Sequence, residues 1–464
     1  MIRNHKLEDF ENKPNVNLVS KERKELYGEI HTPFSLINQM FSIIPNHHFE
    51  NPQLKWLDPG TGSGNFSIFL YFKLFTHLNE KIPDIEERKT HIIENMIFLS
   101  EIQEDNIQQL KYLFGDSANI YTGDFITQVF SLQFDFIIGN PPFNNNGIIK
   151  VPTNNQLKKK HDGNTIWPLF IKKSISLLTP KTGKLCVIIP TIWLKPDKEK
   201  MYQYLTQYKI EYLNCLSNTE ANKVFKGNAQ TPCCYFLLTK QPTNNIITIF
   251  DKTANKYIDY HLKPDSPNNS NPIPVFAQEA ISILSKFLTK PNQHIEVIKT
   301  NMPPKSAILS SQKTEKTPYP NISSCIFENK INRLQVELQK TPKLIINYSN
   351  KPLAFYNQPK LVLAHKMYGL PYLDISGEYG ISNRDNYVIL PTPADKLTSI
   401  AGIANLIKLH KFLSTKTALF LFKSTTYRMK YLEKYVFELL PDITKIPDFP
   451  PEITDETISQ YFKI

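Results

Sequence analysis

The first half of the chain alternates short apolar runs with amphipathic stretches, as in a sheet of strands covered by helices. In one amphipathic stretch apolar side chains recur at helical spacing, at Leu36, Ile37, Met40 and Phe41. The apolar runs predict strands at 54–57, 95–100, 119–122, 134–139 and 185–190, and further strands near 210–216, 232–239 and 245–250. Because strands and helices alternate, the sequence predicts an α/β fold.

The pattern changes after residue 250, where prolines become frequent and the regular alternation stops. Short strands are predicted at 343–348, 353–356, 360–366 and 384–390, and helices at 275–290, 398–413 and 415–439. The change predicts a boundary between two domains. We therefore expect a polar arm over residues 1–27, an α/β domain over 28–250 and a mixed α+β domain over 251–464.

Three glycines alternate in the turn that follows the first predicted strand, at Gly60, Gly62 and Gly64. Only glycine lets the backbone approach a ligand without a Cβ in the way, and the helix that follows adds free N–H groups. A flexible loop is the alternative interpretation. The spacing differs from the GxGxxG of dinucleotide-binding folds. With Asp58 at the strand's end, it resembles the cofactor loop of S-adenosylmethionine-dependent methyltransferases, in which Asp58 would lie near the methionyl ammonium group.

Acidic residues also follow the second and third predicted strands. Glu101 ends the second strand, where a carboxylate suits a ribose diol, and Ile102 would then flank an adenine. A charge at a helix N-terminus is the alternative interpretation for Glu101. Asp124 follows the third strand, where it could accept a hydrogen bond from an adenine amine or cap a turn.

The fourth predicted strand leads into Asn140, Pro141, Pro142 and Phe143. Prolines fix φ and donate no backbone hydrogen bond, so a polar amide and a flat ring are held in a fixed relation. We interpret this loop as one that binds a planar amino group and stacks on its ring; a Pro-Pro turn is the alternative. Phe225 precedes a predicted strand and could form the second wall of a base pocket.

The composition is that of a globular protein with a basic surplus. The 464 residues include 54 Lys and Arg against 43 Asp and Glu, a net charge of +11, and about +8 of it lies after residue 250. A surplus in one region is consistent with a polyanionic partner, although codon bias toward lysine would produce the same count. The basic run Lys158-Lys159-Lys160 could contact a phosphate backbone or be solvated.

The cysteines and the N-terminus predict a cytoplasmic protein. Cys186, Cys215, Cys233 and Cys234 mostly lie in strand-like runs without zinc-ligand spacing, so we expect reduced core residues and no metal. The first residues lack an apolar signal core, and no apolar run reaches the ~18 residues that a membrane span needs.

Three motifs in this order resemble those of gamma-class adenine-N6 DNA methyltransferases of restriction–modification systems: His31-Thr32-Pro33-Phe34, then the glycine loop, then Asn140 to Phe143. Thr32 is a predicted helix N-cap and Pro33 suits the first helical position. The resemblance covers residues 28–250. It implies a seven-stranded Rossmann-like methyltransferase sheet followed by a mixed α+β target-recognition domain. It also implies S-adenosyl-L-methionine as cofactor and double-stranded DNA as substrate, and leaves a cognate restriction endonuclease open.

The resemblance also implies roles for individual residues. It places one set at the cofactor: Thr32, Phe34, Asp58, Gly60, Gly62, Gly64, Glu101, Ile102 and Asp124. It places a second set at a flipped-out adenine: Asn140, Pro141, Pro142, Phe143 and Phe225. The Asn140 side chain and the carbonyl of Pro141 would accept hydrogen bonds from the N6 amino group, while Phe143 stacks on the base. The family often has tyrosine where Phe143 stands, and either ring stacks.

Other functions share parts of this pattern. A protein glutamine methyltransferase carries a similar Asn-Pro-Pro-aromatic loop, but the basic region of about 200 residues after the sheet disfavours it. An RNA adenine methyltransferase remains open. A non-catalytic recognition subunit is disfavoured by the intact glycine loop and Asn140. A fused nuclease is disfavoured because the acidic residues near 196–200 lack nuclease spacing.

Overall fold

The chain folds into two compact units that divide at Phe250. The computed structural model describes residues 2–11, 26–145, 164–196, 199–227, 229, 231–251, 255–262, 273, 294–326, 342–365, 370–391, 400–424, 432 and 434–463. The first unit comprises residues 1–250 with 259–261, and the second comprises 251–258 with 262–464.

A large, mostly parallel sheet forms the centre of the first unit. The strands up to residue 261 are β1 (Trp56–Asp58), β2 (Ile97–Glu101), β3 (Asn119–Thr122), β4 (Phe136–Gly139), β5 (Asn144–Asn145), β6 (Asn164–Thr165), β7 (Lys184–Pro190), β8 (Tyr208–Leu216), β9 (Cys233–Pro242), β10 (Ile246–Asp251) and β11 (Lys256–His261). All but β5 and β6 belong to the sheet, in the order β11-β10-β8-β9-β7-β4-β1-β2-β3. Among the strand pairs of this sheet whose registers are described, only β7–β9 and β8–β9 are antiparallel.

The helices of this unit lie between the strands, as the alternating pattern predicts. They are Glu8–Glu11, Phe34–Ser42, Asn65–His77, Ile85–His91, Glu104–Phe114, Trp167–Leu177, Met201–Thr206 and Asn218–Val224. Shorter helical turns occur at Ile2–Asn4, Asn46–His48, Ile92–Met96 and Thr191–Leu194. The predicted α/β class is confirmed. No helix within the described ranges has the length and apolar character that crossing a membrane requires.

The predicted count of seven strands was too low, because the sheet has nine. Strands β3, β2, β1, β4, β7, β9 and β8 form seven consecutive positions, and β10 and β11 extend the sheet beyond β8. The sequence of β11, Lys-Tyr-Ile-Asp-Tyr-His, is mostly exposed and buries only Tyr260. An exposed edge strand carries no apolar run, so hydrophobicity alone did not reveal it.

The core of the first unit is rich in stacked aromatic rings. Trp56 lies between Phe49 and Phe136, with ring centroids 5.2 and 3.9 Å away. The start of the chain also belongs to this core, because Ile2 and Phe10 are buried in it. Of the predicted arm, residues 2–11 therefore pack against the α/β unit, while 12–25 lie outside the described residues.

The second unit contains two four-stranded sheets. Its strands are β12 (Ile298–Lys299), β13 (Leu309–Ser310), β14 (Tyr319–Ile326), β15 (Lys343–Ser349), β16 (Lys360–Ala364), β17 (Tyr372–Asp374), β18 (Gly380–Ile381) and β19 (Asn386–Ile389). The sheet orders are β12-β19-β16-β17 and β13-β15-β14-β18. Its described helices are Ile400–Leu413, Lys416–Ser424 and Asp455–Phe462, with 3₁₀ turns at Lys434–Leu439 and Ile443–Lys445.

Most predicted elements of the second unit are present. The strands predicted at 343–348, 360–366 and 384–390 are β15, β16 and β19, and the helix predicted at 398–413 is also there. The strand predicted at 353–356 was wrong, since this segment is a turn in which Phe355 has a φ of 66°. The segment 415–439, predicted as one helix, is described only in part: it contains the helix Lys416–Ser424 and the 3₁₀ turn Lys434–Leu439. The helix predicted at 275–290 lies outside the described residues.

A buried ion pair joins two strands of the second unit. The Nζ of Lys360 in β16 lies 2.5 Å from Oδ2 of Asp374 in β17, and their side chains are 0% and 2% exposed. The Asp374 carboxylate also accepts from the backbone N–H groups of Glu378 and Tyr379, at 3.0 and 3.1 Å. Burial lowers the pKa of Lys360, and the neighbouring Asp374 carboxylate opposes that shift. The pair therefore ties β16, β17 and the following turn together.

The cysteines are buried, as expected for core residues, and none forms a disulfide within the described part of the chain. Cys186, Cys215, Cys233 and Cys234 lie in strands of the first unit, and Cys325 lies in β14. Burial raises the pKa of the Cys186 and Cys234 thiols above their ordinary value, which keeps them protonated and unreactive.

Candidate active site

A cavity of about 330 Å³ opens at the carboxyl ends of β1, β2 and β4, the edge where parallel α/β sheets bind ligands. Its volume falls in the range of small-molecule sites, roughly 300–1,000 Å³. Residues from six parts of the first unit line it: 26–32, 59–66, 100–103, 123–126, 140–145 and 166–170. The three motifs of the sequence therefore meet at one site.

The glycine loop contributes two of its glycines to the cavity wall, Gly60 and Gly62. Gly62 has a φ of +55° and donates its N–H to Oε2 of Glu101 at 2.7 Å. Gly64 is different, because a Cβ there would lie 3.0 Å from Cδ2 of Leu110 at a φ of +95°. Gly64 thus allows the helix after the loop to pack closely, and it does not line the cavity.

Glu101 lines the cavity and is held by backbone N–H groups. Its Oε1 accepts from Ile102 and Gln103 at 3.0 and 2.8 Å, and its Oε2 accepts from Gly62. Burial raises the pKa of the Glu101 carboxyl, although these three hydrogen bonds oppose the shift. A carboxylate has about four lone-pair sites, so Oε2 retains one for a ligand hydroxyl. The apolar side chain of Ile102 also faces the cavity and is half exposed.

Asp124 lines the cavity on the side of β3. Its Oδ1 accepts from the backbone N–H of Ile126 at 2.9 Å, which is an Asx turn. Asp124 thus caps a turn, as one of the two interpretations expects, and it also lies on the cavity wall.

Asp58 lies beneath the glycine loop, not on the cavity surface. Its Oδ2 accepts from Oγ of Ser67 at 3.0 Å, while its Oδ1 has no partner among the described residues. Burial raises the pKa of Asp58 to about 7, and the hydrogen bond from Ser67 only partly opposes this shift. The carboxyl group is therefore largely protonated in weakly acidic solution.

The buried Asp58 predicts a pH dependence of stability. Between pH 4 and 7 the folded protein holds a proton that the unfolded chain, with an ordinary pKa of 3.8, releases. The contribution of Asp58 to the free energy of unfolding should therefore fall as pH rises through this window, by on the order of 4 kcal/mol, and then level off. Burial lowers the pKa of His48 to about 4, so the contribution of His48 rises with pH and opposes that of Asp58. Asp58→Asn should remove the Asp58 contribution alone.

Urea unfolding at pH 5 and pH 7.5, followed by tryptophan fluorescence, measures the effect, because Trp56, Trp167 and Trp193 all lie in the first unit. Asp124→Asn is the matched control, since that carboxylate is exposed. Equal slopes in the wild type and in Asp58→Asn would contradict the assignment.

Asn140 directly follows β4, which ends at Gly139, and it lines the cavity. Its Nδ2 donates to the carbonyl of Ile30 at 3.3 Å and to Oγ1 of Thr32 at 3.1 Å. The Oδ1 atom is thereby left as the acceptor that a ligand amino group can reach. The predicted N-cap role of Thr32 was wrong: the helix Phe34–Ser42 begins after Pro33 without a side-chain cap, and the Thr32 hydroxyl bonds to Asn140.

The segment before Thr32 crosses the loop that follows Asn140. Gly28 has a φ of +66°, and a Cβ on it would lie 2.2 Å from the carbonyl oxygen of Asn144. Only glycine permits this approach. The loop continues into β5, which pairs with β6, and the basic run at 158–160 between them lies outside the described residues.

Several other predicted residues lie elsewhere. Phe34 stacks on Phe69 with ring centroids 6.2 Å apart, and it does not line the cavity. Phe143 is half buried against the core beside the cavity, with Pro141 buried and Pro142 on the cavity wall. Phe225 follows the helix Asn218–Val224 in a turn, but its ring is only 4% exposed, packs in the core and does not line the cavity.

The cavity also contains residues that the sequence analysis did not select. Glu29 accepts hydrogen bonds from the side chains of Gln103 and Asn106, at 2.9 and 3.4 Å, and faces Glu101 across the glycine loop. His31 shares a hydrogen bond of 2.8 Å with Oγ of Ser63. Glu29 lies two residues before the first motif and His31 is its first residue, but the sequence alone did not show which side chains turn inward.

Residues 32–225 match the family model described as Eco57I restriction-modification methylase. The match covers the glycine loop, Asn140 to Phe143 and all but the first residue of the first motif. It confirms the resemblance to restriction–modification methylases over residues 32–225. No curated protein matches the chain significantly.

Solved structures that match part of the chain include restriction–modification proteins. The M protein of the type I restriction enzyme EcoKI is 16% identical, with a TM-score of 0.35 over 48% of each chain. A type I methyltransferase subunit from Streptococcus thermophilus is 16% identical, with a TM-score of 0.33 over 50% of each chain. The type ISP enzyme LlaGI, solved with a DNA substrate mimic, is 14% identical, with a TM-score of 0.37 over 52% of this chain and 27% of that one. The chain thus spans about half the length of these type I subunits, and at such TM-scores the neighbours say nothing about the second unit or the substrate.

Proposed function

We propose that the chain is a DNA methyltransferase of restriction–modification type, which methylates the N6 amino group of adenine with S-adenosylmethionine. The observation that carries the proposal is the orientation of Asn140. Its amide N–H groups are used by the protein, so its Oδ1 is an acceptor beside a cavity walled by the glycine loop. An acceptor at this position fits a donor such as an aromatic amine.

The residues of the cavity fit S-adenosylmethionine. Gly60 and Gly62 allow close approach, Glu101 retains a lone pair for a ribose hydroxyl, and Asp124 offers an oxygen to the adenine amine. Glu29 adds a second carboxylate, which suits a ligand that carries positive charge. When bound, the cofactor would supply an electrophilic methyl group to the amino nitrogen, with the electron pair of the carbon–sulfur bond retained by sulfur.

Asn140 would activate the amino group by accepting a hydrogen bond from it. The N6 lone pair of adenine is delocalised into the ring, so the nitrogen is a poor nucleophile. An acceptor on one of its hydrogens draws the nitrogen toward tetrahedral geometry and frees the lone pair. After transfer the nitrogen releases one proton to water. Placement and electrostatics thus supply the catalysis, and no strongly tuned general base is needed.

The target base must leave the duplex to reach Asn140, at a cost of a few kcal/mol. Phe143 is the aromatic residue nearest to Asn140 in sequence and is half buried, so one part of its ring remains available. Stacking of the flipped base on this ring would recover roughly 1–3 kcal/mol. Phe225, buried in the core, takes no part in this proposal.

The second unit is proposed as the target-recognition domain. It carries the basic surplus of the chain, and Lys299, Lys305, Lys313 and Lys316 are all exposed within one stretch of it. Exposed lysines suit a phosphate backbone, which contributes affinity, while base edges provide sequence specificity.

The deciding experiment is transfer of a labelled methyl group by the purified chain. We expect label in duplex DNA, recovered as N6-methyladenine after digestion to nucleosides. RNA and a pool of unmodified protein, tested in parallel, should stay unlabelled. Label in RNA or protein without label in DNA would refute the proposal. Label recovered as N4-methylcytosine would refute adenine as the target base, and the assignment as a DNA methyltransferase would stand.

A further inference from the structure

We propose that Thr32 is a positioning residue, which together with the carbonyl of Ile30 fixes the Asn140 amide with its oxygen toward the target amino group. This inference rests on the proposed function. It gives Thr32 a different role from the cofactor contact that the family resemblance implies. The geometry that supports it lies entirely within the first unit.

The carbonyl of Ile30 determines which end of the amide points into the protein. A carbonyl oxygen only accepts hydrogen bonds, so the group 3.3 Å from it must be Nδ2 and not Oδ1. The Thr32 hydroxyl accepts from the same Nδ2 at 3.1 Å. Two acceptors therefore satisfy the two N–H bonds of Asn140, and a rotated amide would place its oxygen against the Ile30 carbonyl.

Thr32 is itself held in place from the glycine loop. Nδ2 of Asn65, the first residue of the helix after that loop, donates to the Thr32 carbonyl at 2.9 Å. Thr32 and Asn65 are both buried, so solvent does not compete for these hydrogen bonds. The close packing of Gly28 on Asn144 fixes the same segment from its other end.

These contacts form a continuous connection from the cofactor loop to the reacting group: Asn65, then Thr32, then Asn140. A side chain at Asn140 with free rotation would present nitrogen or oxygen to the substrate, and only the oxygen accepts from an amine. Thr32 is therefore expected to affect the rate of the chemical step more than the binding of either substrate.

The test compares Thr32→Val with Thr32→Ser in the full-length protein. Valine keeps the shape of threonine and removes the hydroxyl, whereas serine keeps the hydroxyl. We expect Thr32→Val to lower kcat about tenfold, the effect of one hydrogen bond, and Thr32→Ser to restore it to within about threefold of the wild type. The Kd for S-adenosylmethionine, measured by calorimetry, should change less than about twofold in both.

Two results in this comparison would overturn the inference. One is an unchanged kcat in Thr32→Val. The other is a raised Kd for S-adenosylmethionine with kcat unchanged at saturation, which would make Thr32 a cofactor contact. Should Thr32→Val fold poorly, Asn65→Ala provides the same test from one step away, with a smaller expected fall in kcat of about threefold.

A second measurement needs no substrate and separates this inference from the proposed function. A double-mutant cycle of Thr32→Val and Asn140→Ala in urea unfolding measures how strongly the two side chains interact. The two single changes should cost more in sum than the double change does. Additive effects would overturn the inference even if DNA is methylated. A coupled pair in a protein that methylates no DNA would instead overturn the proposed function and leave the positioning of Asn140 intact.

Discussion

Asn140→Ala is expected to lower the rate of methyl transfer by about 10²–10³-fold, the range seen when one preorganised polar contact to a transition state is removed. The reason is that the target amino group loses the acceptor at the end of β4. The side chain of Asn140 donates hydrogen bonds to Ile30 and Thr32, and none of its described hydrogen bonds goes to the glycine loop. The Kd for S-adenosylmethionine should therefore stay within about twofold of the wild-type value.

Glu101→Ala is the matched control, because it changes the cofactor end of the same cavity. Removing the carboxylate frees the N–H groups of Gly62, Ile102 and Gln103 and deletes the acceptor for a hydroxyl. We expect the opposite pattern, with cofactor affinity strongly reduced. Single-turnover rates at saturating cofactor and calorimetry separate the two variants. If Asn140→Ala abolishes cofactor binding, the loop is structural, and if its rate is near normal, the amide does not act on the substrate.

Asp374→Asn is expected to destabilise the second unit by about 3–5 kcal/mol, since it leaves the buried Lys360 ammonium without its partner charge. The pKa of Lys360 is already lowered by burial, and loss of the carboxylate removes the group that opposes that shift. In Asp374→Asn the unfolded chain therefore holds the proton of the Lys360 ammonium more tightly than the folded chain does. The destabilisation should therefore diminish as pH rises and the folded lysine becomes neutral.

Hydrogen exchange of the amides in β16 and β19 measures this change, because the tryptophans of the chain report only on the first unit. Glu296→Gln is the control, since the Lys445–Glu296 pair lies in the same unit, is exposed at Glu296 and should contribute less than about 1 kcal/mol. Replacing both members of the buried pair, as Lys360→Met with Asp374→Leu, should restore most of the lost stability. Equal small effects in the buried and exposed pairs would contradict the prediction.

The sequence predicted those parts of the site that depend on neighbouring residues along the chain. A strand followed by alternating glycines, or by Asn-Pro-Pro, specifies its own local geometry. Parallel strands then bring these turns to one edge of the sheet. Gly60, Gly62, Glu101, Asp124 and Asn140 accordingly meet at the cavity.

What could not be predicted depends on contacts between distant segments. Thr32 satisfies the local rule for an N-cap, but its hydroxyl bonds to Asn140, 108 positions later. Gly64 shares the spacing of its neighbours, yet its missing Cβ makes room for Leu110. Phe225 follows a polar helix, and only the packed core shows that its ring is buried. In each case a tertiary contact overrides the local pattern.

The hydrogen bond between Ile30 and Asn140 also constrains how the protein forms during synthesis. It spans 110 residues, so the segment that orients the amide leaves the ribosome well before the loop that it must meet. Closing so long a loop is slow, and the hydrogen bond can stabilise it only after β1 and β4 have paired. The sheet can therefore assemble first and the site last.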